Sequence, residues 1–173
     1  MTLDPASGYR ERMRAVQARL ESQAAHEAPA GLTDPDPGGD ERWEAGQVWA
    51  HIAEFPPYWA AQIQRVADGW LEQQPAAGTG REPVRFGRTK ADGDRIAAIE
   101  RDRHEHPAAL LTRVRREIAA VADQLDGLSP EAWQAVGAHP SLGAMGLSQI
   151  VEEFVVGHLE EHADQLDLLR ERG

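Results

Sequence analysis

Apolar residues recur along this chain in four long stretches, at the three- and four-residue spacing of amphipathic helices. The first runs from about Ser7 to His26, with Tyr9, Met13, Val16 and Leu20 on one face. The second begins near Trp43 or Ala45 and carries Val48, Ile52, Phe55, Trp59, Ile63, Val66 and Trp70. Pro56 and Pro57 fall inside it; each removes a backbone donor and crowds the preceding turn, which predicts a kink or a break into two helices. The third has Pro107 near its start, where proline is tolerated, and a stripe of Leu110, Leu111, Val114, Ile118, Val121 and Leu125. The fourth runs from an N-cap at Ser148 to about Arg170. Between them lie a breaker-rich loop from Ala28 to Trp43, an irregular connection from Gln73 to Thr89, a short helix around Asp94 to Arg103, another at Pro130 to Val136, and the loop GAHPSLGAMG. No segment alternates apolar and polar residues as a half-buried strand does. The expected fold is therefore all-α, a four-helix bundle with short extra helices in its connections, as one domain over residues 1–173.

The fourth helix contains VVGHLEEHADQ, Val155 to Gln165. At 100° per residue, His158 and His162 fall about 80° and about 120° from Ile150, within the arc marked by Val151, Phe154, Val155 and Leu166. Glu160 points to solvent, Glu161 lies on the edge of the arc, and Gln165 falls inside it. Two inward imidazoles one turn apart each need a polar partner. They also stand close enough to share one ion, since a turn rises only about 5.4 Å. The pair is thus either two metal ligands or two hydrogen-bonded core residues, and a third inward histidine would favour the first. His51, on the second helix beside the Val48–Phe55–Trp59 stripe, is the best candidate. His104 and His106 flank a helix start as surface or capping residues. His26 ends the first helix, where a cation meets the negative end of the dipole. His139, before the last helix, is a turn residue or the rim of a pocket. Three histidines from two helices, with an open fourth position, match a catalytic rather than a structural zinc site. The same letters, H-x-x-E-H, occur in one class of zinc peptidase. That reading expects a third ligand downstream and an edge strand to hold an extended peptide, and the sequence predicts neither.

Charge and composition narrow the partners. A formal charge of −11 argues against nucleic acid or an anionic membrane. The absence of cysteine removes disulfides, zinc–thiolate sites and an internal thiol nucleophile, so sulfur chemistry requires a thiol cosubstrate. No apolar run is long enough to span a bilayer, and the first residues do not lead from a basic segment into an apolar one, so a cytoplasmic protein is expected. Lys90 is the only lysine beside many arginines and alanines, a composition typical of GC-rich bacterial genomes.

The phrase WEAGQVWAHIAEFPPYW, with its helix-two histidine, and the later GAHPSLGAMGLSQIVEEFVVGHLEEHADQLDLL together resemble the DinB-like superfamily from about Trp43 to Leu169. The resemblance implies a four-helix bundle with a metal triad on His51, His158 and His162. It implies a divalent ion, zinc first, with nickel or another ion also suited to imidazole. The superfamily includes bacillithiol S-transferases and mycothiol-dependent enzymes such as maleylpyruvate isomerase. The expected function is accordingly a metal-dependent enzyme with thiol-dependent, S-transferase-like chemistry on a small electrophile, with mycothiol the more natural thiol for a GC-rich source. Two alternatives stand beside it. One is a hydrolase using metal-bound hydroxide, with Glu161 or His139 as proton carrier. The other is a non-catalytic bundle that binds a metal or ligand. A homodimer is a further implication of the resemblance. Arg81, Arg85 and Arg88 either meet an acidic thiol or are ordinary solvated charges, the latter being expected. Trp49, Trp59 and Trp70 are expected in the core, and Trp133 at a pocket mouth or as an anchor for its short helix.

Overall fold

The apolar stripes meet in one core. The computed structural model describes residues 5–35 and 40–173; the 36–39 part of the expected loop lies outside the described residues. In chain order the elements are α1 (Pro5–Ala24), α2 (Ala45–Leu71), β1 (Val84–Arg85), α3 (Gly93–Asp102), α4 (Pro107–Gly127), a 3-10 turn (Ala132–Gln134), β2 (Val136–His139), β3 (Gly143–Gly146), α5 (Leu147–Val151), a π segment (Glu152–Val156) and α6 (Gly157–Arg172). The last three form one continuous rod, so four long helices make the bundle. Helix α1 packs on α4 and α6, and α2 packs on the same two, which puts α1 and α2 at opposite corners. Met13, Val16, Leu20, Trp49, Phe55, Ile63, Leu110, Leu125, Ile150, Leu159 and Leu166 are all buried between them.

Helix α1 runs in the same direction as the last rod, and its partners there advance in step. Tyr9 donates to the Ser148 carbonyl at 3.0 Å, Arg12 pairs with Glu152 and Glu160, and Arg19 with Asp164 and Asp167. Glu160 is therefore an ion-pair partner rather than a solvent-facing residue.

Helix α2 does not divide at its prolines; it is helical from Ala45 through Leu71 with Pro56 and Pro57 inside. Gln47 Oε1 accepts the Glu44 N–H at 3.1 Å and so satisfies one donor at its start. Asp92 caps α3 by accepting from the Arg95 N–H at 2.9 Å, and His106 caps α4 by accepting from the Ala108 N–H at 3.2 Å. His26 lies just past α1, its Nδ1 2.9 Å from the Ser22 carbonyl.

Three short strands, which the sequence did not predict, lie in the connections of the helical bundle. β1 pairs parallel with β2 in the register Val84↔Gly137, and β2 pairs antiparallel with β3 from Val136↔Gly146 to His139↔Gly143. The GAHPSLGAMG loop is thus a hairpin, and the short helix expected over Pro130 to Val136 shrinks to the 3-10 turn. The last rod also begins earlier than expected: Gly146, not Ser148, precedes its first helical residue, Leu147. Trp49 is core as expected, whereas Trp70 is only partly buried and lies beneath the Arg81 guanidinium at 5.6 Å. Trp133 packs on Tyr9 with ring centroids 6.3 Å apart, which anchors the 3-10 turn to α1. No described helix is long and apolar enough to cross a membrane.

One ion pair here carries a pH prediction. Asp102, buried at the end of α3, accepts from Arg101 Nε at 2.7 Å and from Arg113 Nη1 of α4 at 2.8 Å. The Arg101 hydrogen bond, followed by that of Arg113, holds its carboxyl below the usual carboxylate range. A depressed folded-state pKa means the stabilisation is present above the unfolded value of about 3.9 and is lost as pH falls through the folded value. The urea midpoint is expected to drop across that acid window, and to drop less in Asp102→Asn. Equal slopes in the two proteins would remove Asp102 from the account.

Candidate metal centre

His51 extends from the second turn of α2, and His158 and His162 from the first two turns of α6. The three rings meet edge to face: His51–His158 centroids are 5.2 Å apart at 85°, His51–His162 4.8 Å at 87°, and His158–His162 4.4 Å at 77°. His51 Nε2 lies 3.0 Å from His158 Nε2, and His162 Nε2 lies 3.1 Å from the same atom. These three are the one group of His, Asp or Glu side chains among the described residues with the spacing to hold a metal ion. Phe55, one turn along from His51, fills the space beneath, 4.7 Å from the His158 ring and 5.1 Å from that of His51.

Each of the three rings turns its other nitrogen toward an oxygen three residues further on. His162 Nδ1 is 2.8 Å from Gln165 Oε1, His51 Nδ1 is 3.4 Å from Glu54 Oε2, and His158 Nδ1 is 3.5 Å from Glu161 Oε2. Residues three apart on a helix are surface neighbours, so the repeated H-x-x-E/Q spacing places an acceptor behind each ring. The first contact is a hydrogen bond. The other two are long, and the buried His51 Nδ1 and Glu54 Oε2 have no other hydrogen-bond partner. A nitrogen lone pair facing a carboxylate is repulsive, so the proton belongs on Nδ1 in each case. Three Nε2 lone pairs then point at one another, an arrangement that no hydrogen bond satisfies and that a cation at their centre would.

The dimensions agree with that chemistry. An ion about 2.05 Å from each nitrogen in tetrahedral geometry sets the nitrogens about 3.3 Å apart, near the two contacts at His158 Nε2, and all three ligand atoms lie within 4.8 Å of one another. Protonation states agree as well. Burial first, then repulsion from the neighbouring histidines, pushes His51 well below the ordinary histidine pKa. The same causes push His162 down to about 3. Glu161, facing His158, is held below the usual carboxylate range by that contact. The two imidazoles are thus neutral at pH 7, the state that binds a metal, with an ionised carboxylate alongside. Gln165→Leu would release the His162 tautomer and is expected to weaken zinc binding by about 10- to 100-fold, as read by chelator competition. Unaltered affinity would show that Gln165 does not orient the ring.

The cluster opens into a cavity of about 440 Å³. Trp59 and Phe154 stack at 4.1 Å and 15° to form one wall, continued by His139 at 5.0 Å from Phe154. Trp59 is therefore cavity wall as well as core. Trp43, pinned to Thr33 by hydrogen bonds of 2.8 and 2.9 Å, stacks on His162 at 5.9 Å and lies under the Arg95 guanidinium at 5.3 Å. Arg88, Lys90, Arg95, Glu153 and Glu161 are the charged residues of its lining.

The structure places the other expected residues as follows. His139 is buried on β2 with both nitrogens engaged: Nε2 lies 3.1 Å from the Arg88 carbonyl, and Nδ1 accepts from the Ser141 N–H at 3.4 Å. Its ring abuts Gly87, where a Cβ would come within 2.4 Å of Cδ2 and where φ is +86°. Arg88 is not a solvated charge. Its side chain is 9% exposed, paired with Glu54 and held over the Tyr58 ring at 3.8 Å. Arg81 pairs with Glu131 at 2.7 Å, away from the cavity. Arg85 lines a separate open groove with Arg65 and Tyr58. Sequence reasoning missed Trp43, Glu54, Lys90, Arg95 and Glu153; the H-x-x-E/Q repeat was the available signal for Glu54.

No family model matches the sequence, and no curated protein matches it. Solved structures do. YfiT from Bacillus subtilis, described as a probable metal-dependent hydrolase with an unusual four-helix bundle topology, superposes with a TM-score of 0.70 at 16% identity, covering 99% of this chain and 89% of that one. The mycothiol-dependent maleylpyruvate isomerase superposes with a TM-score of 0.62 at 15% identity, and a mutant of it does so at 13%. This chain is covered over 93% of its length but spans only 60% of the isomerase. At these identities the likeness establishes architecture: the chain has the four-helix-bundle fold of YfiT and of the mycothiol-dependent maleylpyruvate isomerase, the fold that the DinB-like resemblance implied.

Proposed function

We propose that the protein is a metal-dependent enzyme in which His51, His158 and His162 hold a divalent ion, zinc first, and that its reaction joins a small thiol to a small electrophile. The observation that carries the metal reading is the convergence of three Nε2 atoms whose Nδ1 partners all face oxygens. A divalent ion held by three neutral ligands keeps its full charge and lowers the pKa of a thiol or water bound at its open position. The protein's own groups do the rest. Glu54, Glu161 and Gln165 hold the imidazole tautomers, and Trp59 and Phe154 present a flat apolar wall to the body of a substrate. Arg95 and Lys90 put positive charge beside the cluster, which favours an anionic nucleophile or substrate. His139, with both nitrogens bonded, serves as wall rather than as proton carrier. Since the chain has no cysteine, the sulfur must come from a cosubstrate, and mycothiol is the thiol we would try first.

Hydrolysis is the second reading. Two observations favour it: the Glu161 carboxylate lines the cavity, where it is the candidate base, and the match to YfiT is the fuller one. Turnover of an electrophile and ester panel by zinc-loaded protein, with and without added thiol, separates the readings. Activity that vanishes without thiol supports transfer, and thiol-independent turnover supports hydrolysis. A protein that binds zinc yet turns over nothing would leave a binding role in place of both.

A further inference from the structure

The rod that carries His158 and His162 is not a regular helix. Between α5 and α6 the chain widens into the π segment Glu152–Val156, and the Gly157 N–H bonds to the Glu152 carbonyl five residues back. The buried stripe records the change. Upstream it is Leu147, Ile150 and Val151, which regular spacing would continue through 158, 161, 162 and 165. Downstream the buried residues are Leu159, His162, Ala163 and Leu166, a slip of one position, and Val155 and Val156 are buried side by side where the slip occurs. One residue is 100° of helix rotation. The wide turn thus sets which way both histidines of α6 face, immediately before the first of them.

Two features hold that turn. At Gly157 a Cβ would lie 2.8 Å from the Glu152 carbonyl oxygen, so any other residue there forces the turn to shift. Arg12 of α1 spans the turn from outside. Its Nη1 and Nη2 donate to Glu152 Oε2 and Oε1 at 2.6 and 2.7 Å, and its Nε and Nη2 donate to Glu160 Oε1 and Oε2 at 2.8 and 2.6 Å. Glu152 opens the π segment and Glu160 lies in the first turn of α6, so one guanidinium ties its two ends. An isolated surface ion pair contributes little, but a fork bonded to two carboxylates at once fixes geometry as well as charge. Lysine, a point charge, does not reproduce that fork.

We infer that Arg12, with Glu152 and Glu160, is a positioning clamp that holds the wide turn before Gly157 and thereby aims His158 and His162 at His51. Its significance for function rests on the reading of the histidines as ion ligands; its geometry does not. The test is the crystal structure of metal-free Arg12→Met and Gly157→Ala beside wild type, with cobalt(II) titration followed by the visible absorption band. Arg12→Met removes partly exposed groups only, and Gly157→Ala attacks the same turn from inside, so either folded variant decides. The clamp predicts that the turn tightens or shifts, that the 3.0 Å contact between His51 and His158 opens, and that cobalt binds about 10-fold or more weakly with an altered band. Arg12→Lys should not restore the wild-type band. Unmoved rings with wild-type cobalt binding would overturn the inference. Wild-type protein that binds no cobalt would instead sink the ion-ligand reading, while the ring positions in the variants still judged the clamp.

Discussion

His162→Ala is expected to weaken zinc binding by on the order of a few hundred-fold while the bundle stays folded. Zinc sites built from side chains bind with about 10 kcal/mol or more, so one of three protein ligands accounts for about 3 kcal/mol. His162 is buried against Trp43 and fixed by Gln165, so no solvent-held side chain stands ready to replace it. The apo protein gains from the same change in one respect, because removing one inward lone pair relieves the crowding around His158 Nε2. Loss of zinc without loss of the thermal transition is therefore the signature of a ligand. A residue that merely packed would show the reverse, a lower melting temperature with zinc affinity intact.

Phe55→Ala should cost about 3 to 5 kcal/mol in urea unfolding, the usual range for emptying a buried aromatic position. Its side chain is fully buried, and it supports all three imidazoles, at 5.1 Å from His51, 4.7 Å from His158 and 6.1 Å from His162. The effect should appear in two readouts together, since the rings lose the surface that keeps their Nε2 atoms converged. Phe55→Leu, which keeps more of the volume, should recover most of the stability. A loss below about 1 kcal/mol for the alanine variant would mean that the site collapses around the gap.

The parts of this structure that periodicity controls are legible in the sequence. The four stripes fix the bundle. His51 is readable because the prolines follow it: the backbone bonds they remove would run to the carbonyls of Ile52 and Ala53, after the histidine is already placed. The hairpin is not readable. Val136-Gly-Ala-His and Gly-Ala-Met-Gly146 offer one β-branched residue between them, and glycine and alanine are poor strand formers. Those strands form because β2 is held between β1 and β3, a tertiary cause. The π segment is invisible to a 100° wheel, which placed Glu161 on the apolar edge; in the structure Glu161 is exposed and His158 partly so. Adjacent apolar residues at Val155 and Val156, out of step with Ile150, were the trace of it. Arg95, Lys90 and Trp43 come to the cavity from segments that share no pattern with α6, so only the fold brings them there.

The most direct test of the central claim is zinc content and coordination in untagged wild-type protein, by elemental analysis and zinc X-ray absorption, beside His51→Ala. About one ion per chain, surrounded by three imidazole nitrogens and lost in the variant, is the predicted result. No ion after incubation with zinc, or an imidazole count unchanged by His51→Ala, would contradict it.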